Sequence, residues 1–218
     1  MLRTILHELR HHAPFTMFGA LTGVVAAVIF KGMPHETAQT LFCVFHPAHV
    51  FLSAIVTASM YNIYKYSESG KRNIWLILLI GYVGSVGIAT LSDCLIPYAG
   101  ESILKMPDKG MHLGFIEEWY IVNPAAIAGI LLAYFWPRTK FPHAGHVLLS
   151  TWASLFHILM AAGKDISLPV YAGIFVFLFL SVWLPCCVSD IVFPLLFVGR
   201  ASGHHMHEPD CVSVRSQN

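Results

Sequence analysis

Charged side chains are scarce in this sequence. Asp, Glu, Lys and Arg make up 11% of its 218 residues, whereas soluble domains contain about 25%. Hydrophobic residues account for 56%, so the composition excludes an ordinary water-soluble domain and indicates an integral membrane protein with the lipid bilayer as its surroundings. Because the formal net charge is only +1, we expect no nucleic-acid partner.

Other absences narrow the class further. Five cysteines are present, and an odd number lying mostly in apolar segments does not indicate a disulfide framework. The sequence contains no P-loop, no dinucleotide-binding fingerprint and no nucleophile elbow, so no ATP-driven chemistry is indicated within this chain. The pattern H-E-x-x-H does occur at His7–His11, but it lies outside the apolar stretches, which disfavours a zinc protease.

Six long apolar stretches follow one another, each close to the ~20 residues that a helix needs to cross the hydrocarbon core. Membrane β-barrels instead show ~10-residue strands of alternating polarity, which this sequence lacks. We therefore predict an all-α integral membrane protein with six transmembrane helices, because helices satisfy their own backbone hydrogen bonds in lipid. The stretches are 14–33, 39–63, 73–97, 119–136, 143–163 and 169–199.

A histidine motif occurs twice in these stretches. The sequence H-P-A-H at His46–His49 recurs 97 residues later as H-A-G-H at His143–His146. Histidines three residues apart share one face of a helix and lie within reach of one ion. His46 is expected about 15 Å into its helix, near the middle of the bilayer. Ionisable residues at that depth are costly, and they indicate a functional site.

An acidic motif repeats at the same spacing. Ser92-Asp93, with Pro97 four residues on, matches Ser189-Asp190 and Pro194. The second and third helices of each copy are joined by a short loop, so they are expected to run antiparallel. Each aspartate then lies at the level of the histidines of its own copy. The alternative interpretations are helix-packing histidines and, for Asp93, a helix cap.

The repeat predicts how the chain is organised. Each copy contains three spans, and because three is odd, the second copy must be inverted relative to the first. Inverted repeats are a recurring transporter architecture, with the binding site at the repeat interface. The predicted parts are 1–97, the first three-helix repeat with a short cytoplasmic N-terminal helix; 98–118, an extracytoplasmic linker; 119–199, the second three-helix repeat; and 200–218, a His-containing tail.

The distribution of basic residues predicts the orientation. With six spans, the two termini and the loops 64–72 and 137–142 lie on one side of the membrane. That side holds nine of the 13 Lys and Arg residues, and the positive-inside rule therefore puts both termini in the cytoplasm.

The repeated residues predict a metal site, shared by the two copies or present in each. Imidazole with carboxylate suits Zn²⁺, Fe²⁺, Mn²⁺, Co²⁺ or Ni²⁺, whereas Mg²⁺ and Ca²⁺ prefer all-oxygen sites. The expected partners are a divalent transition-metal ion and the bilayer, and a homo-oligomer is left open. The predicted ligands are His46, His49, Asp93, His143, His146 and Asp190.

These residues favour a membrane permease for a divalent transition-metal cation, bound near the midplane between the two repeats. The alternative is an intramembrane metalloenzyme, a zinc- or iron-dependent hydrolase or oxidoreductase that uses the same cluster with an open coordination position. A haem protein with paired axial histidines fits less well, because haem needs one His from each of two facing helices rather than two on one helix.

Overall fold

The computed structural model describes residues 2–69, 73–137, 140–163, 166–187, 193 and 197. Within these ranges the side chains of 2–9, 11, 12, 64, 66–69, 140–143, 186 and 187 are not described. The described chain is all-helical, and it contains no strand, as predicted. Its elements are α1 (Leu2–Ile29), α2 (His35–Ser69), α3 (Ile74–Thr90), a π-helical turn (Leu91–Leu95), α4 (Ile96–Ile103), α5 (Gly114–Glu117), α6 (Trp119–Phe135), α7 (Lys140–Ala161) and α8 (Leu168–Cys187).

In the part of the chain that the structure describes, four helical segments are long and apolar enough to cross a membrane. They are His35–Ile63, Ile74–Ile103, Ala144–Ala161 and Leu168–Pro185, and two shorter apolar helices are Ala13–Ile29 and Trp119–Phe135. Large apolar side chains such as Phe18, Trp75 and Leu168 lie on the outside of the bundle. Apolar residues outside and polar residues inside are what a bilayer requires, so the protein belongs to the membrane class.

Helix α2 lies at the centre of the bundle and contacts α3, α6 and α7. Its most extensive contact is with α7, so the two helices that carry the histidine motifs pack directly against each other. Small residues allow close approach: a side chain at Gly129 of α6 would clash with the carbonyl oxygen of Phe51 in α2. Close approach at small residues is the usual way in which helices associate in membranes.

The contacts among the six longest helices, α1, α2, α3, α6, α7 and α8, fall into matched pairs. The contacts α2·α3 and α7·α8 correspond to each other, as do α2·α6 and α1·α7, and α1·α8 and α3·α6. Exchanging α1, α2 and α3 for α6, α7 and α8 converts one member of each pair into the other. The contact α2·α7 is converted into itself.

The π-helical turn between α3 and α4 has a local cause. Pro97 has no backbone N–H, so it cannot donate to the carbonyl of Asp93 four residues earlier. The chain adopts the wider turn at Leu91–Leu95, where the N–H of Ile96 bonds to the carbonyl of Leu91. Such single π turns occur frequently at functional sites, and this one carries the buried residues Ser92 and Asp93.

The close contact at Gly129 generates a stability prediction. We expect Gly129→Ala to destabilise the protein by about 1–3 kcal/mol, because the new methyl group overpacks the α2–α6 interface. Gly87→Ala is the matched control, since a Cβ there meets nothing within 4 Å and alanine favours a helix by roughly 0.5–1 kcal/mol. Thermal unfolding midpoints in one detergent test this, and equal midpoints for the two variants would contradict the described packing.

Candidate functional site

Two histidines and one aspartate form a fully buried cluster. The Nδ1 atoms of His46 and His49 lie 2.9 Å and 2.7 Å from the same oxygen of Asp93, Oδ2. All three residues have no solvent-exposed surface. The histidines come from α2, about 16 Å and more along that helix from its first residue, and Asp93 comes from the π-helical turn. The predicted proximity of Asp93 to the first histidine pair is therefore present.

The second oxygen of Asp93 is held by hydroxyl groups. Asp93 Oδ1 accepts hydrogen bonds from Ser92 Oγ at 2.6 Å and from Ser150 Oγ at 2.9 Å. Ser150 belongs to the second histidine-motif helix, α7, so a residue from one predicted repeat anchors the carboxylate of the other. Both oxygens of this buried carboxylate are thereby satisfied, as burial of a polar group requires.

A second serine of α7 stabilises the backbone of the π-helical turn. The N–H of Ile96 bonds to Leu91 and Pro97 has none, so the carbonyl of Ser92 lacks a helical donor. Ser154 Oγ donates to this carbonyl at 3.1 Å. Helix α7 therefore holds both the side chain of Asp93 and the backbone next to it.

The carboxylate fixes which ring nitrogen of each histidine is available. An ionised carboxylate only accepts hydrogen bonds, so each imidazole donates through Nδ1, and a neutral ring then keeps a lone pair on Nε2. The Nε2 atoms of His46 and His49 are buried and have no hydrogen-bond partner among the described residues. The backbone at Gly114 closes over one of them, since a Cβ there would lie 2.7 Å from Nε2 of His46.

His146 of the second motif joins the cluster. It is fully buried, and its ring stacks on that of His49 with centroids 5.7 Å apart and planes 12° apart. The antiparallel packing of α2 and α7 brings the two histidine motifs to one level. Four of the six predicted ligands are thus brought together: His46, His49, Asp93 and His146.

The other two predicted ligands are His143 and Asp190. Asp190 lies outside the described residues, and the side chain of His143 does as well, although its backbone belongs to α7. Among the described residues, no three His, Cys, Asp or Glu side chains are spaced to hold a metal ion together. The cluster in this conformation is therefore a hydrogen-bonded imidazole–carboxylate group.

Sequence reasoning missed one buried carboxylate. Glu101 lies in the predicted linker 98–118, yet it is fully buried and its Oε1 lies 2.6 Å from Nδ1 of His157. It occurs in α4, which continues α3 beyond the π-helical turn. The extra residue in that turn places Glu101, eight positions after Asp93, on about the same side of the helix two turns later.

Comparison of the sequence with protein-family models, with curated proteins and with solved structures finds no match to any of them.

The hydrogen bond from Ser154 generates a second stability prediction. We expect Ser154→Ala to destabilise the protein by about 1–3 kcal/mol, because it leaves the buried carbonyl of Ser92 without a donor. Ser85 is an equally buried serine whose hydroxyl bonds to the carbonyl of Gly81 within its own helix, where the backbone has other donors. Ser85→Ala should therefore lower the thermal unfolding midpoint much less, and a larger loss for Ser85→Ala would refute this role of Ser154.

Proposed function

We propose that this protein is a membrane permease for a divalent transition-metal cation, which binds between two inverted three-helix repeats. The observation that carries the proposal is the pair of buried imidazoles on one carboxylate oxygen, with Nε2 of both rings lacking a partner among the described residues. Histidines that bind metals generally direct one ring nitrogen at the ion and donate the other N–H to a carboxylate, a backbone carbonyl or water, and here the partner is a carboxylate.

The charge of the cluster also favours a cation. With both imidazoles neutral, the cluster carries the single negative charge of Asp93, and the serine hydroxyls that bind it supply no positive charge. A buried, unbalanced carboxylate is costly. A proton would bring the cluster to neutrality and a divalent metal ion would bring it to a net charge of +1, so either compensates the carboxylate, and nitrogen ligands on neutral rings suit Zn²⁺, Fe²⁺, Mn²⁺, Co²⁺ or Ni²⁺. If a proton occupies the cluster in the absence of metal, binding of the ion releases that proton, because ligands must be deprotonated to bind a metal.

The proposed ligands are the imidazoles of His46, His49 and His146, with Asp93 as the orienting and charge-balancing group. His143 and Asp190 remain predicted ligands from the second copy. Metal binding requires the rings to turn from the described conformation, in which no three such side chains surround one point. A transported ion must also leave again, so a site that assembles only on binding suits a permease.

The helix contacts support the inverted repeat. Each extensive contact among α1, α2, α3, α6, α7 and α8 has a counterpart under exchange of the two units or is converted into itself, which is the pattern that a pseudo-twofold axis between α2 and α7 produces. We propose that α1 and α6 also cross the membrane, giving six spans, and that both termini lie in the cytoplasm. The cluster at the α2–α7 contact then lies on the proposed axis, and rocking of one unit against the other would expose it to each side in turn.

Metal content tests the proposal. The full chain carries His204, His205 and His207 in its tail, so the reference protein has these three replaced by alanine. We expect it to hold at least one Zn²⁺ or Co²⁺ per chain in lipid nanodiscs, and His46→Ala/His49→Ala to hold one ion fewer, because the affinity of the central cluster falls at least ~10-fold. Metal flux into liposomes should fall with it.

His11→Ala/His12→Ala is the matched control, since it also removes two imidazoles, neither of which is a proposed ligand. Its metal content and flux should equal those of the reference. If the reference binds no metal, or if both double variants lose it equally, the permease proposal is wrong. A bound ion without flux would overturn transport and favour the intramembrane metalloenzyme.

A further inference from the structure

A second buried imidazole–carboxylate pair lies in the same bundle. His157 and Glu101 are both buried, and Nδ1 of His157 lies 2.6 Å from Glu101 Oε1. The other oxygen, Oε2, accepts the backbone N–H of Gly110 at 3.4 Å. As in the first cluster, the carboxylate is the hydrogen-bond partner of Nδ1. Nε2 of His157 is buried without a hydrogen-bond partner among the described residues.

A third histidine connects this pair to the surface. The ring of His112 lies 5.7 Å from that of His157, centroid to centroid. Its Nδ1 lies 3.2 Å from Glu117 Oε2, and about a quarter of its side chain is exposed (26%). His112 thus repeats the pairing of a carboxylate with Nδ1, but at the edge of the bundle rather than inside it.

One phenylalanine connects the second pair to the first cluster. The ring of Phe42 is stacked on His46 with centroids 5.1 Å apart, and it meets His157 edge-on at 5.5 Å. Phe42 is itself buried and precedes His46 by one turn of α2. A continuous series of rings therefore runs from His112 at the edge, through His157 and Phe42, to His46.

We propose that His112, His157 and Glu101 form a second, outer binding station for the same divalent transition-metal cation on its way to or from the central cluster. This inference rests on the proposed permease function. The Nε2 atoms of His112 and His157 supply two ligands, and water completes the coordination from the exposed side of His112. Glu101 orients His157 and balances the charge, and Phe42 separates the two stations.

The ligands of the outer station suit weak, reversible binding of the ion. Two imidazole ligands bind a transition metal more weakly than the three or four protein ligands of a permanent site. Conduction needs sites that are favourable enough to occupy and weak enough to leave. Moreover, Glu101 is a buried carboxylate whose described partners are one imidazole and one backbone amide, so a cation nearby lowers the cost of its burial.

The test measures Co²⁺ bound per chain, from the visible absorption of the complex, and Co²⁺ flux, both in the full chain with the three tail histidines replaced. We expect about two ions per chain in the reference. His112→Ala should lower this to about one, because it removes a ligand from a partly exposed position where folding is not at risk. Flux should fall at least ~10-fold, with a raised half-saturating concentration, since the outer station fills first.

A second variant tests the buried pair itself with side chains of similar size. Glu101→Gln/His157→Gln replaces the pair by two amides that can still hydrogen-bond, and it should also lose one ion. His35→Ala is the matched control: this exposed histidine lies beside His112 (centroids 6.3 Å apart) and its Nδ1 contacts the carbonyl of Met160, so the variant removes a neighbouring imidazole that is paired with neither Glu101 nor Glu117. It should retain both ions and the reference flux.

The amount of bound Co²⁺ in the two groups of variants distinguishes failure of the outer station from failure of the central site. If His112→Ala and the double glutamine variant, both folded, bind as much Co²⁺ as the reference, the outer station is wrong, and the pair serves structure or proton transfer. If instead His46→Ala/His49→Ala leaves the amount of bound Co²⁺ unchanged, the central site is wrong, whatever the outer variants do. Loss of one ion in each of the two groups of variants supports both stations.

Discussion

A single carboxylate organises the centre of this protein. Asp93 is buried, and its two oxygens bind two imidazoles from α2, a hydroxyl from α7 and the hydroxyl of the neighbouring Ser92. Removing such a group from water is costly unless every lone pair finds a partner, so the surrounding helices must supply donors at fixed positions. The packing of α2 against α7 and the π-helical turn both place polar atoms where Asp93 needs them.

Duplication explains why the sequence predicted part of this centre. The H-x-x-H and S-D motifs recur at one spacing, so the sequence alone could group side chains from three distant segments. These are His46 and His49, Asp93, and His146. Antiparallel packing of neighbouring helices then implied that Asp93 would lie level with His46 and His49, as it does. The orienting serines of α7 were less predictable, because serine in a membrane helix is more often a small packing residue than a hydrogen-bond donor to a distant carboxylate.

The second pair could not be predicted from the repeat because it does not belong to it. Ninety-seven positions before His157 stands Met60, and 97 positions after Glu101 stands Val198. Glu101 also follows a proline in a segment with polar residues on both sides, which favours a loop at the membrane surface. The π-helical turn continues the helix past Pro97 and directs this glutamate inward. That turn depends on Pro97 and on the hydroxyl of Ser154 in α7.

The π-helical turn has a consequence for how the two carboxylates respond to each other. Asp93 lies within the turn, and Glu101 lies beyond it on the same continuous helical segment. Converting the turn to regular α-helix would remove the extra residue and rotate everything beyond it by about 100° relative to α3. Glu101 would then move away from His157 while Asp93 lost its place between His46 and His49. A change in the helical register of this one segment would therefore displace both carboxylates from their imidazole partners at once.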